Sequence, residues 1–151
     1  MLPSHAIATV SPMKELLSTR TTLSLAAARR IAQTAEARAI ADGLNVSIAI
    51  VDDAGRLLHF QRMDGSPNSS VEVAIRKAEH AANYRRDTVF HQELLSQGHH
   101  VVLGLPHSLP IEGGVRLQTQ GQSLGAIGVA GAPSAQDGEI ARAGAELLDA
   151  L

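Results

Sequence analysis

The segment Arg62-Met63-Asp64-Gly65 sets a guanidinium two residues before a carboxylate. Such a fork holds a planar carboxylate through two parallel hydrogen bonds, and the nearby Asp can orient it or accept a ligand proton. The same pair can equally form an internal ion pair that fixes the bend. Gly65 suits a positive φ angle in both cases. Farther on, Glu112-Gly113-Gly114 places a carboxylate beside two unhindered backbone N–H groups. This step can bind an anionic group, or move a proton while the amides stabilise an enolate or oxyanion. Its plainer reading is a tight turn with Glu112 in water.

Arg76, Lys77 and His80 share one helical pattern, with Lys77 and His80 three apart and so neighbours on its surface. A solvated helix face accounts for them. The chain has seven histidines, and His91, His99, His100 and His107 crowd into one short region. His99 and His100 are adjacent, so they point apart on a helix or a strand and reach one ion together only if the loop distorts. An imidazole of this region can ligate iron, although a histidine taken singly is more often just polar surface. No HExxH pattern occurs, and no residue set is assigned to a structural metal.

The elements that must position these groups belong to one domain. The chain has 151 residues, with 13 Lys+Arg against 15 Asp+Glu for a net charge of −2. A compact fold of this length removes roughly 68–70% of the unfolded surface from water, so neither disulfide nor metal is needed. With no cysteine, thiolate chemistry and Cys-ligated clusters are excluded. Three aromatics, Phe60, Tyr84 and Phe90, and a pI near 6.4 argue against a nucleic-acid partner. Residues 1–22 contain Pro3 and Pro12 and lack both a secretory apolar core and a membrane span, so they read as a flexible tail before a domain at 23–151. On that basis the expected location is cytoplasmic, without a membrane partner, and Met13 is as acceptable a start as Met1.

Ser24 caps a helix whose Ala28, Ile31, Ala32, Ala35 and Ala39 form a buried stripe, with Gly43 at its end. LNVSIAIV at 44–51 and the run 56–61, separated by Asp52-Asp53-Ala54-Gly55, form a hairpin. Ser69 and Glu72 make a capping box for a helix with Val71, Ala74, Ile75, Ala78 and Ala82 inward and Arg76, Lys77, Arg85 and Arg86 outward. Asp87 or Thr88 caps a short helix ending at Gly98. The segment 101–103 is too short to type, and 104–114, with Pro106 and Pro110, is a structured loop. Two strands follow at 115–120 and 123–130; the Gly-rich second one, LGAIGVAG, signals close backbone approach by a helix or a ligand. Ser134 starts the last helix, with Asp137 in its first turn and Ile140, Ala143, Leu147 and Leu148 apolar. The expected fold is α/β of the α+β type: a single antiparallel sheet of about five strands flanked by helices. A doubly wound nucleotide fold is disfavoured, because no Gly-rich turn leads from the first strand into a helix.

Several of these segments occur together in one known family. The runs VDDAGRLL at 51–58, RMDG at 62–65, AIRKA at 74–78, EGGV at 112–115 and GAIGVAGA at 125–132, with Asp137 downstream, resemble the GlcG/HbpS family. That family is described as heme-binding or heme-degrading and includes the C-terminal domain of PduO proteins. The resemblance implies a profilin-like fold, homo-oligomers and heme binding in some members. It implies Arg62, Lys77, Gly113, Gly114 and His107 as cofactor contacts, with Lys77 or Arg76 beside a propionate or substrate carboxylate. The chain departs from the family pattern at Ser66, usually Ala, at Arg116-Leu117, usually Pro and a branched apolar residue, and in its His99-His100 pair. Two functions follow. One is a small-ligand-binding domain that captures heme or a related anionic cofactor as an oligomer. The other is a cofactor-free isomerase, tautomerase or hydrolase acting on a small organic acid, with Arg62 clamping the carboxylate and Asp64 or Glu112 moving the proton. A ligand-free scaffold is the bland third reading, and whether the chain is an enzyme is left open at this level.

Overall fold

A computed structural model describes residues 12–150. After a single turn of helix, α1 (Pro12–Glu15), come α2 (Leu25–Ala41), the hairpin β1 (Ser47–Asp52) and β2 (Leu57–Arg62), α3 (Ser70–Tyr84) and α4 (Thr88–Ser96). A 3-10 helix, η1 (His100–Gly104), leads to β3 (Gly114–Thr119), β4 (Gln122–Ala130), α5 (Ser134–Ala145) and a second 3-10 helix, η2 (Glu146–Ala150). Most of the expected tail, residues 1–11, lies outside the described residues; the exposed stretch after α1 is tied to the body by an Arg20–Asp53 ion pair of 2.6 Å.

The sheet is antiparallel throughout, in the order β2-β1-β4-β3. Among the described residues it has four strands where the sequence suggested about five, because 101–103 winds into η1 instead of pairing. Period-2 alternation divides the strands between two cores. Ile48 and Ile50 of β1 and Ile127 and Val129 of β4 face α2 and α5. Ala49, Val51, Ala126 and Ala130 face α3. The second face is built of small side chains for a reason: at Gly128 an added Cβ would fall 2.0 Å from the Ala74 carbonyl oxygen, so α3 lies directly on β4. The glycine-rich strand does mark close approach, and the approaching element is this helix.

Ser24 accepts the Ala27 N–H at 3.1 Å, and the buried stripe of α2 is Ala28, Ile31, Ala32, Ala35 and Ala39, as the spacing implies. The Ser69–Glu72 capping box does not form: Ser69 is itself helical in φ and ψ, and Glu72 turns outward toward Arg76. Asp87 and Thr88 likewise serve β3 instead of capping α4. Asp87 Oδ1 accepts the Arg116 N–H, and Thr88 Oγ1 accepts the Gly114 N–H, both at 2.9 Å.

Candidate functional site

The largest departure from the sequence reading is on α3, whose buried positions are Ser70, Ala74, Lys77, Ala78, His80, Ala81 and Ala82. Lys77 is therefore in the core, not on a solvated face; it is 2% exposed. Its ammonium donates to the Val129 carbonyl at 3.0 Å and to Asp137 Oδ2 at 3.1 Å. Asp137, from α5, is equally buried, and its other oxygen accepts the Ala132 N–H at 3.0 Å. The pair joins helices from opposite faces of the sheet at the end of β4. Burial pushes the Lys77 ammonium below its ordinary pKa and the Asp137 carboxyl above its own, each opposed by the partner's charge. Lys77 fits only because position 113 has no side chain. A Cβ on Gly113, which sits at φ +134°, would lie 2.6 Å from Nζ.

The diglycine bend is thus packed on Lys77, and Glu112 follows it inward. Glu112 lies over Gly138 of α5, with Oε2 3.3 Å from Arg142 Nη1. The loop before it is pinned by α3 and α4. His80 Nδ1 accepts the Leu109 N–H at 2.8 Å, Tyr84 Oη donates to the Pro106 carbonyl, and Gln92 Oε1 accepts the Glu112 N–H at 2.7 Å. Because Leu109 can only donate, His80 carries its proton on Nε2 and donates to His91 Nδ1 at 2.9 Å. Both imidazoles are buried, although the spacing put His80 on a solvated helix face with Lys77 and grouped His91 with His99, His100 and His107.

A cleft of about 320 Å³ opens beside Lys77 and Asp137, walled by Pro67 and Ser69, by Ile111, and by Gly131. The loop after β2 and the loop before β3 do meet here. The arginine that announced the first loop does not take part. Arg62 turns back into its own loop, its guanidinium donating to Ser66 Oγ at 3.3 Å, the Ser66 carbonyl at 2.9 Å and Asn68 Oδ1 at 2.8 Å. No Arg62–Asp64 ion pair forms among the described residues. Arg62 and Asp64 line a separate cleft with Glu36, Asn45 and Met63. The wall between the two clefts is where Gly131 packs on Asn45 and Pro67. Gly65 has the positive φ expected, +82°. His99, His100 and His107 are exposed and outside the Lys77 cleft, and among the described residues no three His, Asp or Glu side chains converge as a metal site.

Two helices begin at the Lys77 cleft: Ser69 and Ser70 at the start of α3 and Ser134 at the start of α5 all border it. Helix starts carry a partial positive charge, which favours anions; at α3 the Ser70 and Val71 N–H groups are already taken by the Pro67 and Asn68 carbonyls, at 3.0 and 3.4 Å. The fold and this cleft define a single-sheet α+β domain with an anion-compatible pocket at one end of its central strand. The chain belongs to the HbpS-like family, whose model, described as "Haem degrading protein HbpS-like", matches residues 23–146. It is 35% identical to Protein GlcG of Escherichia coli K12 over 113 residues, which are 75% of this chain and 84% of that one. A doubly substituted HbpS of Streptomyces reticuli superposes with a TM-score of 0.81 at 38% identity, over 87% of this chain and 90% of that chain. A PduOC:heme complex shares the fold at a TM-score of 0.75 and 24% identity, over 83% and 94% of the two chains. No helix among the described residues is long and apolar enough to cross a membrane.

Proposed function

We propose that the domain captures a carboxylate-bearing ligand in the Lys77 cleft, and that the ligand is heme. The observation that carries this reading is the meeting of two helix starts beside a buried lysine in one open cleft. The family description supports heme as the occupant, and the fold is shared with a protein solved as its heme complex. The cleft fits part of the group. At about 320 Å³ and without an imidazole in its lining among the described residues, it takes a propionate edge and leaves the macrocycle outside. The partial positive charge at the starts of α3 and α5 would draw the propionate, while Lys77, kept in place by Asp137 and backed by Gly113, supplies positive charge behind them. Gly114 is clamped by Thr88 and fixes the bend that carries Ile111 to the cleft wall. Arg62, bound to Ser66 and Asn68, sets the position of Pro67 and Ser69 and acts as a positioning residue. His107, with His99 and His100, offers exposed imidazole for iron. When bound, the group would supply an iron centre able to change oxidation state.

Titrating the chain with hemin tests this reading. We expect a Soret shift that saturates, and an affinity about tenfold weaker after Ser69→Glu plus Ser134→Glu, since like charge at the two helix starts opposes a propionate. Acidic residues there also favour the helices, so the variant keeps its fold. No Soret shift, or an affinity unchanged in the variant, would count against the assignment.

A second reading rests on the Lys77–Asp137 pair, whose burial drives both groups toward their neutral forms at the edge of a cleft. Such a pair can carry a proton to and from a small organic acid, with Glu112 biasing both partners. Deuterium exchange into small acids in heavy water, lost on Lys77→Met, would favour this reading; its absence across the panel would remove it.

A further inference from the structure

A third cleft lies at the other side of Glu112, between the edge strand β3 and the end of α5. It encloses about 220 Å³ and is lined by Arg116, Arg142, Asp87, Glu146 and Asp149, among others. Arg116 stands on β3 and lines this cleft. Its Nε is buried without a hydrogen-bond partner among the described residues, while Nη2 reaches only the neighbouring Gln118. Among the described residues it pairs with no carboxylate. A buried donor left unpaired is unfavourable, and a long side chain on an edge strand shifts easily to pair it. Turned into the cleft and released from Gln118, Nε and Nη2 together take a planar carboxylate bidentately.

The surroundings restrict the molecule that carries that carboxylate. Asp87, Glu146 and Asp149 ring the same cleft, and Arg142 is already engaged with Glu112 at 3.3 Å. A plain anion meets three carboxylates there, and a plain cation meets two guanidiniums. A molecule with one charge of each sign suits both. We infer that this cleft binds a free amino acid, its carboxylate on Arg116 and its ammonium among Asp87, Glu146 and Asp149. The size agrees, since the space holds an amino acid and excludes a macrocycle. This site is independent of the Lys77 cleft and of heme.

Calorimetry on the full chain tests it, using the common amino acids singly and, for alanine, its two halves propionate and ethylamine. At least one amino acid should bind, with propionate and ethylamine each weaker than alanine. Arg116→Gln should weaken binding by about tenfold or more, the size of a charge-assisted hydrogen bond. Arg116→Lys should fall between, keeping charge but losing the fork. Hemin titration of Arg116→Gln should match that of the parent chain, which certifies the variant's fold and separates this site from the first. No binding by any amino acid, equal binding by propionate, or affinity unchanged in Arg116→Gln would each overturn the inference.

Discussion

Asp137→Ala should lower the stability of the domain by about 3–5 kcal/mol, measured by urea unfolding. The loss comes mostly from what remains behind. Lys77 is 2% exposed, and without Asp137 its ammonium keeps, among the described residues, only the Val129 carbonyl as an acceptor. An unpaired buried charge costs several kcal/mol, whereas an apolar pair of similar volume can be nearly neutral. Lys77→Met with Asp137→Leu should therefore recover most of the stability lost in the single variant. A double variant no more stable than Asp137→Ala would mean that the pair contributes through its geometry and not through its charge. The contrast also bears on function: a folded double variant that has lost hemin binding would place the pair's importance in the cleft.

Acidification should weaken the fold through His80. Its pKa is pushed down to about 4 by burial first and by the neighbouring His91 second. The unfolded chain takes up this proton near 6.5, so between about pH 6.5 and pH 4 the unfolded state holds more protons than the folded one. Stability is then complete above about pH 6.5 and declines as the pH falls toward 4, by up to about 3 kcal/mol from this residue. His91, also lowered by burial, acts in the same direction. Asp137, raised by burial, acts in the opposite one. The difference between the parent chain and His80→Gln isolates the imidazole. The parent should lose stability more steeply across that range, and parallel profiles would show that the pair does not titrate as its burial requires. The same protonation removes the acceptor for the Leu109 N–H, so the amides of the loop that carries Ile111 should lose protection at low pH, measured against the intrinsic exchange rate at each pH.

Local patterns made much of the fold readable. The alanine stripe of α2 appears in the sequence as it appears in the core, because spacing alone selects the buried face of an amphipathic helix. The two hairpins and the close approach at Gly128 were equally visible, since turn residues and glycine act over a few positions. Lys77 was misplaced for the converse reason. Its partner is 60 positions away on the opposite face of the sheet, and a lysine between inward alanines looks like a solvated side chain until that partner is known. The histidine pair is a similar case. His80 and His91 are 11 positions apart, on two helices whose packing no periodicity specifies. Arg62 was readable equally as a ligand clamp or as half of an ion pair with Asp64 fixing the bend; it fixes its own loop, though not through Asp64. A guanidinium beside a bend has backbone carbonyls and short polar side chains within reach, and Ser66 and Asn68 occupy it. The diglycine step, by contrast, was singled out for its bare backbone, and its bareness is what admits the Lys77 ammonium.

Paramagnetic broadening of backbone amides by hemin locates the ligand directly, because the ferric iron erases signals near it at substoichiometric loading. The amides of Ser69, Ser70, Ile111 and Gly131 should fade first, around the cleft where α3 and α5 begin. Loss centred instead on Asn45 and Asp64, or on Arg116 and Asp149, or spread evenly over the surface, would mean that the Lys77 cleft is not where this domain holds its ligand.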